Sequence, residues 1–554
     1  MRFFCSKDCP DTCAIEAEIV NGKPVFKGVA ESWQKTGFVC SKFKVFAERE
    51  IGTSVRSYRR IDGNNHYFDN DEAAVGAMAE MLEQYRHKKI LYLKGSGSLG
   101  YNMGYWDRLM SGFEHAYKIK GNVCDVTGED AHEADFGTPL NPPVENIADC
   151  DTAILFGKNA AVVSQHLFAY LKELKKHGLK IIYIDPIRTK TADIADRYIP
   201  IRPACDGLLA AALMTSLGLE DGHDTERYLS RAGISAEDFE YLKSSISSGR
   251  TAFIQGFGIQ RNPNGMNIVR LINRLAVKSG NERNLFYGHA SKRYWKGLGV
   301  KFNNSVPINE VAQRLAESEF DLFVNVAANP AMTFADAKNW MKGIERTPTI
   351  VVDVQSNRTS ENCDLFIRTG GIFAQQDLMA SYFFEHAHSR DRLTNELSDT
   401  DIVSRLSTLL NIPVNMAEPE SAIPEGRQFR DEFVRPLFPE EHGRFSLMSM
   451  SHHAYLNSQT LPQIAEGLKK AYINPADAAE LSVADGDVLK ISTETGCYTA
   501  YAEISDRVSP KVIMSWKNIP MLEGCINDAI PPILTDSGNG LVYYGIPADV
   551  AKVL

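Results

Sequence analysis

Four of the ten cysteines, Cys5, Cys9, Cys13 and Cys40, fall within the first 40 residues, spaced C-x3-C-x3-C-x26-C. Four thiolates suit a tetrahedral metal environment. Three come from one tight loop and the fourth returns from a separate turn, an arrangement common for 4Fe–4S clusters. A structural zinc site, which usually pairs its ligands two and two on separate knuckles, is the second reading, and plain structural cysteines are the third. A disulfide framework is not expected in a large chain read as cytosolic. Lys42, two residues past Cys40, is either an exposed lysine or a cationic bridge from such a cluster to a second redox group. Cys124 reads by itself as a buried structural thiol, although a soft metal takes thiolates readily.

The elements that position these residues change along the chain. The stretch IEAEIVNGKPVFKGV alternates like a β-hairpin turning at Asn21-Gly22, which would fold Cys40 back onto the cysteine loop. From residue 72 helix and strand alternate: apolar strands such as ILYLK, TAILFGKN, KIIYIDP, TAFIQGFG, FDLFVNVAAN and TIVVDVQSN each open into a Gly-, Asn- or Asp-containing loop. Such alternation implies parallel sheets covered on both faces, with ligands at the strands' carboxyl ends. Glycines there (Gly95, Gly97, Gly157, Gly256, Gly258) let backbone amides approach phosphates, or simply make turns. Residues 411–440, rich in Pro and Glu, read as an interdomain connection. After about residue 443 the strands are short and the turns frequent, which predicts a small β-barrel. No internal repeat of fixed period is evident.

In this order the motifs resemble those of the molybdopterin (bis-pyranopterin guanine dinucleotide) oxidoreductases, the dimethyl sulfoxide reductase family, over essentially the whole chain. CSKDCPDTC…GFVCSK resembles the cluster-binding segment, with Lys42 at the position of a lysine lying between cluster and pterin. GNVCDVTGEDA resembles the segment that presents the metal ligand, which places Cys124 there and Asp125 where formate dehydrogenases carry a histidine. LFGKN, IDPIRTKTADIAD with IRPACDG, GFGIQRNPNG, NVAANPAMT, VDVQSNRTSENCD, SHHAYLNS and DSGNGLVYYG resemble dinucleotide-contacting loops and the C-terminal barrel. The resemblance implies cofactor contacts from Gly95, Gly157, Asn159, Asp185, Arg188, Thr189, Asp206, Gly256, Gly258, Arg261, Asn329, Asp353, Thr359, His452, His453, Asn457 and Asn527. Asp185 and Asp206 are of the type that faces a guanine's amine and ring N–H, and Arg188 and Arg261 of the type that pairs with pyrophosphate. His452 and His453, adjacent on an expected strand, would point to opposite faces.

The implied fold is α/β in four domains: residues 1–58 binding the cluster, 59–119 plus 319–425 and 120–318 as doubly wound dinucleotide-binding domains, and 436–554 as a double-psi β-barrel. The implied cofactors are a 4Fe–4S cluster, held by the four N-terminal cysteines, and molybdenum or tungsten bis(pyranopterin guanine dinucleotide). The expected activity is two-electron redox chemistry on a small substrate of S-oxide, N-oxide or oxyanion type, with Cys124, Lys42 and Asp125 as catalytic residues. Formate or aldehyde oxidation, a hydratase or transhydroxylase, and a non-catalytic cluster-carrying subunit are the alternatives. Departures weaken inference about substrate: Asp125, Ala204-Cys205 in place of Gly-Thr, Gln375 or Gln376 near an acidic position, and SGNERNLFYG in place of a glycine-rich loop.

Composition sets the remaining bounds. In 554 residues, 44% hydrophobic and 23% charged are ordinary globular values, which exclude fibrous and disordered classes. A net charge of −10 without a long basic block argues against a nucleic-acid partner. No apolar run approaches the ~20 residues that span a bilayer. The N-terminus shows neither a secretory h-region nor a twin-arginine start, so a cytoplasmic location is expected, with an electron-transfer protein or small iron–sulfur subunit as partner.

Overall fold

A computed structural model describes the chain except for residues 22, 31–36, 139–140, 223, 288–298, 381–386, 418–427, 441 and 554. At the N-terminus, Arg2–Phe4, Ala14–Val20 and Lys23–Gly28 form an antiparallel three-stranded sheet. Asn21 turns the expected hairpin with a positive φ of 51°, while Gly22 lies outside the described residues. Cys5, Cys9 and Cys13 occupy the loop between the first two strands, closed by the Cys5 N–H donating to the Cys13 carbonyl at 2.8 Å. Cys40 is the N-cap of helix Ser41–Glu50.

Two parallel sheets follow. The first has eight strands in the order Asn304–Pro307, Ala116–Lys120, Ile90–Lys94, Leu322–Val326, Thr349–Asp353, Leu365–Arg368, Tyr58–Ile61 and Asn64–Tyr67; the first six are parallel. The second has five parallel strands: Arg197–Ile199, Lys180–Ile184, Thr152–Phe156, Thr251–Gln255 and Leu285–Phe286. Their central strands are buried on both faces by helices, which is why they read as continuous apolar runs rather than alternating ones. Phe445–Met450, Val512–Trp516, Lys470–Ile473, Cys497–Ile504, Val488–Ser492 and Tyr544–Lys552 close the C-terminal barrel.

Asn304–Pro307, within the segment 120–318, pairs with Ala116–Lys120 in the eight-stranded sheet. A four-residue strand containing Ser and Pro carries too little periodicity to announce itself. The two sheets share a local plan at one point. In each sheet the strand order reverses once, between Thr152–Phe156 and Thr251–Gln255 and between Leu322–Val326 and Ile90–Lys94. The exit residues match: Gly157 has φ 54° and Ala327 has φ 51°. Gly256 donates to the Phe156 carbonyl at 2.9 Å, as Gly95 does to Val326 at 2.8 Å. A Cβ at Gly256 would run into the Gly157 carbonyl oxygen, and one at Gly95 into the Ala327 oxygen. Both positions need glycine because backbone occupies the side-chain space.

Candidate functional site

In open α/β sheets a ligand sits where the strand order reverses. Each reversal here opens into a cavity. The larger, about 420 Å³, lies over the eight-stranded sheet, and the smaller, about 110 Å³, over the five-stranded one. The barrel covers both, contributing Asn457 and Lys517 to each wall. It is tied to the loops beneath by bridges Asn122–Gly540 and Ile187–Val508.

The two loops are held by the same hydrogen bonds. In the smaller cavity Asn159 Oδ1 accepts from Thr191 Oγ1 (2.9 Å), which accepts from the Ala161 N–H (3.0 Å). In the larger, Asn329 Oδ1 accepts from Thr359 Oγ1 (2.8 Å), which accepts from the Ala331 N–H (3.2 Å). Asp196 and Asp364 cap the neighbouring strands alike, accepting from the Ile181 and Thr349 N–H groups. Both loops are therefore braced by the same side-chain bonds.

Buried carboxylates line each cavity. Asp185 accepts from the Ile187 N–H and the Tyr183 hydroxyl, and burial pushes its pKa up to about 7. Asp206, raised to about 7 by burial and by the charge of Asp185, shares that wall. Across the twin plan, Asp353 lines the larger cavity, accepts from the Val354 N–H and Asn357 Nδ2, and is raised to about 6 by burial. Asp399 lines it too; like Asp206 it opens a helix, Asp399–Leu409 against Asp206–Ser216. A guanine offers paired N–H donors that favour the ionised form of such carboxyls, so the residues fit two guanine dinucleotides.

Between the cavities stand Asp8, Arg261, Asn457 and Lys517, which line both. Cys124 lies beside this wall in the larger cavity. Its loop is pinned by Asn122 Oδ1, which accepts from the N–H groups of Cys124 (2.8 Å), Asp125 (3.2 Å) and Val126 (3.3 Å). Arg261 Nε donates to the Cys124 carbonyl at 2.9 Å. Burial holds the Cys124 thiol well above its ordinary pKa, helped by Asp125 and Asp8 and opposed by Arg261 and Lys517. A thiophilic metal would displace that proton.

The N-terminal cysteines lie within one another's electrostatic reach around Cys13. Burial raises the thiols of Cys9, Cys13 and Cys40, and Cys13 also feels the charges of Asp11, Cys40, Cys5 and Cys9. All four cysteines are free. Among the described residues no three His, Cys, Asp or Glu side chains converge closely enough to hold one metal ion. The four thiols are compatible with a 4Fe–4S cluster, which takes one thiolate per iron.

Of the remaining expected contacts, Gly95, Asn329 and Asp125 line the larger cavity, and Gly157, Asn159, Gly258, His452 and Lys42 the smaller. Arg188 is exposed outside both, its N–H on the Arg507 carbonyl. Thr189 supports Asn159 and Tyr183 from behind, and Thr359 supports Asn329. Gly256 packs against Gly157, and Asn527 binds Met332 and Asn518; neither lines a cavity. The histidines depart from expectation: the strand ends at Met450, and in the turn that follows the rings lie 4.2 Å apart on one side, His452 inward and His453 exposed. Sequence reading missed Asp8, Lys517, Asp399 and Thr191. Only Thr191 had a signal, the shared Asp-x5-Thr-x4-Asp spacing of Asp185, Thr191, Asp196 and Asp353, Thr359, Asp364.

This twin-cavity α/β body under a β-barrel is the architecture of a dinucleotide-binding protein. The chain belongs to the molybdopterin oxidoreductase family: residues 70–367 match that family's model and residues 445–546 the molydopterin dinucleotide binding domain. It is 22% identical to the probable oxidoreductase YoaE of Bacillus subtilis (strain 168) over 100% of this chain and 98% of that one. To the probable oxidoreductase YyaE of the same organism it is 23% identical over 69% of this chain, a match spanning only 64% of that protein. Acetylene hydratase from Pelobacter acetylenicus shares the fold with a TM-score of 0.76 at 13% identity over the full length of both chains. No described helix is long and apolar enough to cross a membrane.

Proposed function

We propose that this chain holds two pyranopterin guanine dinucleotides, one per cavity, with molybdenum or tungsten at Cys124 and a 4Fe–4S cluster on Cys5, Cys9, Cys13 and Cys40. We propose further that it reduces a small S-oxide, N-oxide or oxyanion. The observation carrying this reading is the wall of Asp8, Arg261, Asn457 and Lys517, shared by both cavities and standing beside Cys124. The bound cofactor supplies two-electron chemistry. The chain anchors the nucleotides on Asp185, Asp206, Asp353 and Asp399, and offers Arg261 and Lys517 as N–H donors to a substrate oxygen. Lys42, buried between the cysteine loop and the smaller cavity, places a cation between cluster and cofactor, within the fields of Cys9 and Cys40. Overall the substrate takes up two electrons and two protons and releases its oxygen as water. The electrons enter at the cysteine loop, so a cytoplasmic electron donor docking on the N-terminal sheet is the expected partner.

The test is elemental and nucleotide analysis of protein from a cofactor-competent host, with turnover of an S-oxide, an N-oxide and nitrate by a reduced viologen. Molybdenum or tungsten, iron and guanine nucleotide together, with turnover lost in Cys124→Ala while iron and guanine remain, is the expected result. Iron without either metal or guanine would favour an electron relay, and a loaded enzyme inert toward all three substrates would overturn the substrate class.

A further inference from the structure

The twin plan isolates one residue that neither the fold nor the nucleotide requires. Lys158 occupies the middle of the Gly157–Asn159 loop, and its counterpart between Ala327 and Asn329 is Ala328. The flanking geometry, hydrogen bonds and cavity placement are otherwise alike, so an alanine suffices at this position for the loop to form. Lys158 is nonetheless 5% exposed, lines the smaller cavity, and its ammonium makes no hydrogen bond or ion pair with any described residue. An ammonium presented to a largely enclosed cavity is stabilised by a nearby anion.

Its surroundings indicate where that anion is. The loop's continuation reaches the cysteine segment: Cys9 Sγ donates to the Val163 carbonyl at 3.6 Å, and Asp11 accepts from the Ser164 hydroxyl and, at 2.8 Å, from the His166 N–H. Burial lowers the Lys158 pKa, and the negative charges of Asp11 and Cys9 oppose that shift and favour the ammonium. In the twin sheet, the Ala328 carbonyl accepts from Asn325 of its own strand end, and among the described residues that loop carries no bond to an N-terminal cysteine. The larger cavity meets the cysteine segment through a different loop, where Leu99 N–H donates to the Ser6 carbonyl at 2.6 Å and Ser98 Oγ bonds to Ser6 Oγ, so the lysine stands on the strand-end loop whose continuation binds Cys9 and Asp11.

We propose that Lys158 is a second cationic residue, beside Lys42, that compensates the negative charge of the iron–sulfur cluster across the wall of the smaller cavity and raises the cluster's reduction potential. The inference rests on the cluster assignment above. A fixed positive charge favours the state carrying one more electron, so reduction becomes easier. Lys158 neither donates nor accepts the electron; it is a positioning charge.

The test is Lys158→Ala, the residue the twin already uses, compared with Lys158→Arg in the complete holoenzyme. An EPR-monitored redox titration should give a cluster midpoint shifted to more negative potential in the alanine variant and restored toward wild type by arginine, with iron and guanine contents unchanged. An unchanged midpoint in Lys158→Ala overturns the proposal. Loss of guanine nucleotide with an unchanged midpoint overturns it too, making Lys158 a nucleotide ligand instead. Wild-type protein without iron would instead refute the cluster assignment, which separates the two failures.

Discussion

Nucleotide loading should depend on pH, with a sign set by Asp185 and Asp206. Both carboxyls sit near pKa 7 in the protein because burial penalises their charged forms. A guanine donates two N–H groups to a carboxylate and so binds the ionised form. Loading therefore expels a proton below pH 7 and none well above it. For one such group the ionised fraction falls from roughly 0.9 at pH 8 to roughly 0.1 at pH 6, a loss of about tenfold in affinity or about 1.4 kcal/mol. Asp185 raises Asp206, so the two titrate as a pair and the slope lies between one and two protons. The folding sign is opposite. A carboxyl whose folded pKa is raised stabilises the empty fold at acid pH, and that contribution is lost as pH rises from the unfolded value near 4 toward 7. Calorimetric titration of guanosine diphosphate into protein made without cofactor should show affinity rising with pH, while the thermal midpoint of the empty protein falls. Asp185→Asn should flatten the binding slope. Affinity independent of pH, or tighter at acid pH, would refute the assignment of these carboxylates to the base.

Thr191→Val and Thr359→Val should destabilise similarly, by about 1–3 kcal/mol each, because each strands a buried N–H (Ala161 or Ala331) and removes one of the bonds to an asparagine oxygen; unequal thermal midpoints would break the claimed equivalence. Gly256→Ala should lower the thermal midpoint through the clash of its Cβ with the Gly157 carbonyl. Gly76→Ala, inside helix Asp71–Gln84 with nothing within 4 Å of the added Cβ, should add about 0.5–1 kcal/mol of stability through helix propensity, read as a higher thermal midpoint.

Local chemistry was legible where a few adjacent residues carry the whole signal. The Asn21 hairpin and the apolar five-residue strands opening into Gly or Asn loops are such cases, because hydrophobic periodicity and turn chemistry act over a handful of residues. The barrel was legible for the same reason, as a change in strand length and turn frequency. His452 and His453 failed because strand continuation past Met450 depends on what pairs with it, and the turn there brings both rings to one side.

The chain by itself determined its ordered set of strand-end loops and the thiols and carboxylates they carry. Tertiary structure alone decided that the two Asp–Thr–Asp segments occupy equivalent places in two sheets, that Asp8 and Lys517 share one wall across more than five hundred residues of sequence, and that the segment after Lys158 bonds to Cys9 and Asp11. The physical reason is that parallel strands pair through crossover helices. Which loops become neighbours is set by sheet order, and sheet order is a property of long-range pairing energies rather than of any local run of residues.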